Sequence, residues 1–132
     1  MVQENSKSFF APQLFINNGV KDISFYEKAF GAIELRRFAN DDESIHVSEL
    51  SIQGTIFHLH EVTAKPDFFS PKKHNGTTIL IGLFVLDVDS VMNNAIKAGA
   101  TEISPAKDYE YGYRQGQFKD PFGHYWLIQK RI

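Results

Sequence analysis

What most constrains the fold of this chain is that it repeats itself. FGAIEL, beginning at Phe30, matches AGATEI, beginning at Ala98, so Gly31 falls opposite Gly99 and Glu34 opposite Glu102. Under the same offset LFI at Leu14 lies opposite GLF at Gly82. With one residue of slippage Gly54 lies opposite Gly123. Any one of these matches could arise by chance. A helix, its stop signal and a hairpin agreeing in register mark a duplicated unit, and two copies are too few for a solenoid.

Hydrophobic periodicity gives each unit the same order. Pro12 to Ile16 reads as a strand closed by the turn Asn17-Asn18-Gly19. Val20 to Phe30 has helical spacing, with Asp22 near its start and Gly31 as its stop. Strands follow at Ile33–Phe38, Ile45–Ile52 and Thr55–Val62, with Gln53-Gly54 as a tight hairpin turn. Residues 63–77 carry two prolines, a glycine and several charges and read as a linker. Then come a strand at Ile79–Val85, a helix at Val88–Ala98 and strands at Glu102–Ala106, Tyr113–Lys119 and His124–Lys130. The expectation is one α+β domain over 1–132: two βαβββ modules (11–62 and 78–132) forming curved mixed sheets around a cleft that holds the ligand.

Composition excludes several alternatives. At 132 residues without cysteine, the chain can bury a core but forms neither disulfides nor thiolate metal sites, which suits a reducing cytoplasm. Net charge is −2 and basic residues are scattered, so no stripe suits nucleic acid. The N-terminal stretch, expected to be loose through Phe10, has no long apolar run, and neither a signal peptide nor a membrane span is expected. Most of the 12 phenylalanines are assigned to the core.

The C-terminal segment YGYRQGQFKDPFGHYW supplies Tyr111-Gly112, Arg114, Gly116, Asp120-Pro121-Phe122-Gly123-His124 and Trp126 without a gap. With SFYEKAFGA from Ser24, it resembles the PhnB-like branch of the glyoxalase/bleomycin-resistance/dioxygenase (vicinal-oxygen-chelate) superfamily over almost the whole chain. DPFGH is a turn first: Pro121 fixes φ, Gly123 takes φ > 0, and Asp120 bonds the backbone that follows it. We therefore read Asp120 and His124 as structural.

The resemblance implies four metal-ligand positions, one on the first and one on the last strand of each module. They fall near Ala11–Gln13, near Leu80 or Ile81, at His58 and at Leu127. Only His58 is a good ligand, so the usual divalent metal is expected to be missing and no cofactor is assigned. His58 and His60 share one strand face and could hold a metal with Glu49 or His46. Polar residues lining a wet cleft are the favoured reading. His74, in the linker, is read as solvated.

His58 is the candidate catalytic residue, as a general base. Gln13, His60, Tyr111, Tyr113, Arg114, Tyr125 and Leu127 are candidate ligand-binding residues, with Gln129 on the same face as the last two. Arg114 either forks onto a carboxylate or phosphate or caps the loop around Asp120. Phe68-Phe69 either closes the cleft or anchors the linker. The resemblance further implies a homodimer. The expected function is binding of a small organic molecule without the metal. The alternatives are a metal-dependent lyase, isomerase or dioxygenase of the glyoxalase type, and a structural or regulatory interaction module.

Overall fold

The computed structural model describes residues 8–64 and 67–132. Most of the expected loose N-terminal tail therefore lies outside the described residues. Module one contains β1 (Gln13–Ile16), α1 (Phe25–Phe30), β2 (Ile33–Ala39), β3 (Ile45–Ile52) and β4 (Thr55–Glu61). The linker carries a short turn of helix, α2 (Pro71–His74). Module two contains β5 (Ile81–Phe84), α3 (Val88–Lys97), β6 (Thr101–Tyr109), β7 (Tyr113–Lys119) and β8 (Tyr125–Arg131). The first sheet runs β1-β4-β3-β2 and the second β5-β8-β7-β6. In each, the first strand pairs parallel with the last and the other pairs are antiparallel. The duplication read from the sequence is thus a duplication of sheet topology. Among the described residues no helix is long and apolar enough to cross a membrane.

Where boundaries differ from expectation, local hydrogen bonds account for it. The first helix begins at Phe25 rather than Val20. The Asp22 carboxylate accepts the Ser24 N–H at 2.9 Å, a local turn that competes with the helix. Val20 O is meanwhile taken by the Ile45 N–H at 2.7 Å. The fifth strand starts at Ile81 rather than Ile79, because the Ile79 N–H is turned onto Thr77 Oγ1 at 3.1 Å. The sixth strand runs past Ala106 to Tyr109, since pairing with β7 resumes at Lys107–Gln115 beyond a register shift. Pro105 falls in that shift, on a sheet edge, where a missing donor is tolerated. The linker's helical turn was not anticipated: Pro71 opens it and Asn75, at φ 51°, ends it.

The two modules share one core. Alternation along the strands turns Leu14, Ile16, Leu50, Phe57 and Leu59 of the first sheet, and Ile81, Phe118, Trp126 and Ile128 of the second, into a single apolar cluster. Helices α1 and α3 pack on each other, and α3 lies across β6, β7 and β8. The Tyr26 ring of α1 stands 5.3 Å from Phe57 and 6.1 Å from Trp126, which are themselves 5.9 Å apart. At Gly116 the approach of α3 is so close that a Cβ would lie 2.9 Å from Met92 Sδ.

The space between the two sheets of one chain is filled by helices and inward side chains. His58, next to Phe57, and Leu127, next to Trp126, project from opposite outer faces.

Candidate functional site

The outer face of the first sheet is built by register. Gln13 pairs with His58 across β1 and β4, and His58 pairs with Glu49 across β4 and β3, so the three form a row on one face. His58 Nε2 donates to Glu49 Oε2 at 3.1 Å, with about a quarter of each side chain exposed. With Nε2 donating, Nδ1 is left as the acceptor of the ring. His60 stands two residues on, donating from Nδ1 to Glu61 O at 2.6 Å. Phe15 lies beside it at 6.0 Å between centroids. Phe68 packs on Phe15 at 5.3 Å and anchors the linker over β1, while Phe69 packs on His74 at 4.4 Å within the linker.

The second outer face is chemically different. Tyr109, Tyr111 and Tyr113 form a ladder with centroid spacings of 5.3 and 5.8 Å. The Arg131 guanidinium sits over both Phe84 (5.0 Å) and Tyr113 (6.0 Å), and Lys107 over Tyr109 (4.9 Å). Beside them Gln115 Nε2 donates to Gln129 Oε1 at 2.8 Å, and the Tyr111 hydroxyl donates to Gln115 Oε1. Sequence reasoning named Tyr111 and Tyr113 but missed Phe84, Tyr109, Gln115 and Arg131. Cross-strand register alone brings these together, and strand alternation could have hinted at it only once the pairing was known.

Not all candidates gather at one place. Tyr125, Leu127 and Gln129 share the second outer face with Tyr113. Gln13, His58 and His60 are on the first. Arg114 is on neither, because alternation turns it to the other side of β7 from Tyr113. There its guanidinium meets Asp89 at 2.8 Å and Asp108 at 2.9 Å, tying α3 to β6. The Arg114 hydrogen bonds hold the Asp89 carboxyl below the usual carboxylate range. The loop around Asp120, which Arg114 would cap in one of its two readings, is held by other groups.

Asp120 is buried and accepts four hydrogen bonds. Its Oδ2 takes the Tyr26 hydroxyl at 2.6 Å and Trp126 Nε1 at 2.9 Å. Its Oδ1 takes the N–H groups of Phe122 (2.9 Å) and His124 (3.0 Å). Burial, and then the adjacent Asp120 charge, push the Tyr26 hydroxyl well above its ordinary pKa. His124 Nε2 donates to Phe15 O in β1 at 2.8 Å. The motif therefore ties module two to module one.

The residues present do not fit the superfamily's usual metal. The pairing that joins Gln13 to His58 joins Gly82 to Leu127 in the second sheet, so the first-strand mate of Gln13 is Gly82 rather than Leu80 or Ile81. Those four positions offer one imidazole, one amide and two residues without donor side chains. Among the described residues no three His, Cys, Asp or Glu side chains converge on a point that could hold an ion.

Comparison with known proteins agrees with this architecture. Residues 11–128 match the model of the Glyoxalase/Bleomycin resistance protein/Dioxygenase superfamily. The uncharacterized protein Mb0911c of Mycobacterium bovis is 34% identical over 131 residues, 97% of this chain and 86% of that protein. Among solved structures, a gene product of Arabidopsis thaliana superposes with a TM-score of 0.71 at 26% identity, covering 94% of this chain and 99% of its own. TioX from Micromonospora sp. ML1 shares the fold, with a TM-score of 0.69 at 23% identity, covering 94% and 100%. With the matched region spanning both βαβββ modules, the chain belongs to the glyoxalase/bleomycin-resistance/dioxygenase superfamily.

Proposed function

We propose that this protein is a PhnB-like member of the superfamily that binds a small, planar organic molecule without the glyoxalase-type metal. The site is a cleft made when the outer face of the first sheet meets the outer face of the second sheet of another copy. One observation carries this reading: apart from the Phe68–Phe15 contact over β1, the named side chains of the two outer faces are left to solvent among the described residues, and the two faces are complementary. One presents the polar row Gln13–His58–Glu49, the other an aromatic wall of Tyr109, Tyr111, Tyr113 and Phe84. Phe84 is 52% and Tyr111 63% exposed, a large apolar surface to leave in water. A mixed wall of this kind suits a ring stacked on tyrosine with one or two polar groups aimed at His58 and Glu49.

Sedimentation equilibrium together with calorimetric titration of planar aromatic acids and amines tests the proposal. The expected outcome is a dimer that binds members of one class and returns them chemically unchanged. Tyr113→Ala and His58→Ala each weaken binding about tenfold, the loss expected of one stacking or polar contact. A monomer with no affinity for either class would refute the reading.

The His58–Glu49 hydrogen bond supports a second reading, in which Glu49 orients the imidazole and His58 Nδ1 removes a proton from the bound molecule. Conversion of the ligand by the wild type but not by His58→Ala would favour it. About one tightly held divalent ion per chain, lost in His58→Ala, would instead favour a metal-dependent lyase, isomerase or dioxygenase.

A further inference from the structure

We propose a second site, at the opposite end of the second outer face from the tyrosine ladder: an oxyanion pocket between the linker turn α2 and the DPFGH turn, with phosphate as its preferred ligand class. A cavity of about 390 Å³ opens there, lined by Lys72 and Asn75 of the linker, Thr101 and Lys119 of module two, and Tyr125. Besides Asp120, its polar side chains can donate, and two of them are cationic. Among the described residues neither Lys72 nor Lys119 forms an ion pair or a side-chain hydrogen bond.

The neighbouring basic groups of the turn are otherwise engaged, Lys73 over the Phe69 ring at 5.8 Å and His74 against the same ring at 4.4 Å. Lys72 alone is left to the cavity. Asp120 also borders it, but both carboxylate oxygens are already bonded to the four donors described above, and the residue is 2% exposed. Two ammonium groups without ion-pair partners outweigh the single Asp120 carboxylate at the edge of the cavity and favour an oxyanion there.

The pocket is held in shape by close packing. Gly123, at φ 96°, lies under α2 so tightly that a Cβ would stand 3.1 Å from Pro71 Cβ and 3.4 Å from Lys72 Cγ. The stem of Lys72 is thus laid along the DPFGH turn. Ser70, just before the turn, is 2% exposed and donates its hydroxyl to Asn17 Oδ1 in module one. An anion bridging Lys72 and Lys119 would fasten the linker to module two. On β7, Lys119 and the Tyr113 of the aromatic wall lie at opposite ends, about 20 Å apart at the rise of a strand. One small molecule does not span both.

Inorganic phosphate titrated calorimetrically into full-length protein in a phosphate-free buffer tests the site. The expected result is saturable binding that weakens with added salt. Lys72→Gln and Lys119→Gln should each weaken it about tenfold, as for loss of one charge-assisted hydrogen bond. The double variant should abolish it, with Lys28→Gln on α1 unchanged. As a second readout, phosphate should slow chymotryptic cleavage at Phe68 and Phe69 in the wild type but not in the double variant. Absence of saturable phosphate binding, binding retained by the double variant, or acetate binding as tight as phosphate would overturn the proposal. None of these results depends on whether the outer-face cleft binds anything.

Discussion

The hairpin that precedes the last strand is built in two ways in the two modules. In module one Gln53 (φ 50°) and Gly54 (φ 90°) turn the chain locally, and the Gly54 N–H is satisfied three residues away by Ser51 Oγ at 2.8 Å. Nothing lies within 4 Å of where a Gly54 Cβ would be. In module two the equivalent turn, DPFGH, is packed by the linker and hydrogen-bonded to α1, β1 and β8. A duplicated unit needs its turn twice for topology, but only the second turn also fastens one half to the other by buried hydrogen bonds. Asp120 and His124 supply that fastening.

The comparison breaks most visibly at Asp120. Asp120→Ala leaves the Tyr26 hydroxyl and Trp126 indole N–H buried without an acceptor, and should cost about 3 kcal/mol or more in urea unfolding. A loss under about 1 kcal/mol would show that the turn is as local as its mate.

Paired glycine replacements come next. Gly123→Ala meets both a left-handed φ and the Pro71 contact and should cost about 2–3 kcal/mol. Gly54→Ala meets only the φ penalty, about 1 kcal/mol. Equal losses in the two denaturation curves would erase the distinction.

Tyr26→Phe sharpens it through pH. Removing one of four bonds to Asp120 should cost about 1–2 kcal/mol near neutrality. Because the folded protein holds the Tyr26 hydroxyl protonated above its ordinary pKa of 10.0, the unfolded chain releases that proton first. Wild-type stability should therefore fall from about pH 10 upward, and more steeply than that of Tyr26→Phe. Parallel pH profiles would contradict a Tyr26 hydroxyl buried beside the Asp120 charge.

The smallest expected effect on stability is at His58, on an outer face: His58→Ala should stay within about 0.5 kcal/mol while weakening ligand binding. A large loss of stability would move His58 from the site into the scaffold.

The superfamily was legible before any coordinates because its signals are local and repeated. The Gly31 and Gly99 stops, the Gly54 and Gly123 turns and the strand alternation each depend on a few adjacent residues. The helix start at Phe25 and the turn Pro71–His74 were not, since a side-chain bond from Asp22 and packing on Gly123 set them. For the candidate site, alternation correctly put Phe57 and Trp126 behind their strands, and so put His58 and Leu127 on the opposite faces. It could not reveal that the two sheets turn those faces apart. Nor could it show that Asp89 and Asp108 claim Arg114, or that Arg131 lies between Phe84 and Tyr113.

The sequence by itself determined the duplicated βαβββ order, the hairpin turns and the mismatch at the metal positions, because periodicity and residue chemistry are properties of the chain alone. Tertiary structure alone decided which faces meet, which charges are paired and which are left free, because contacts between residues distant in sequence are set by how the two modules dock through Tyr26, Phe57 and Trp126.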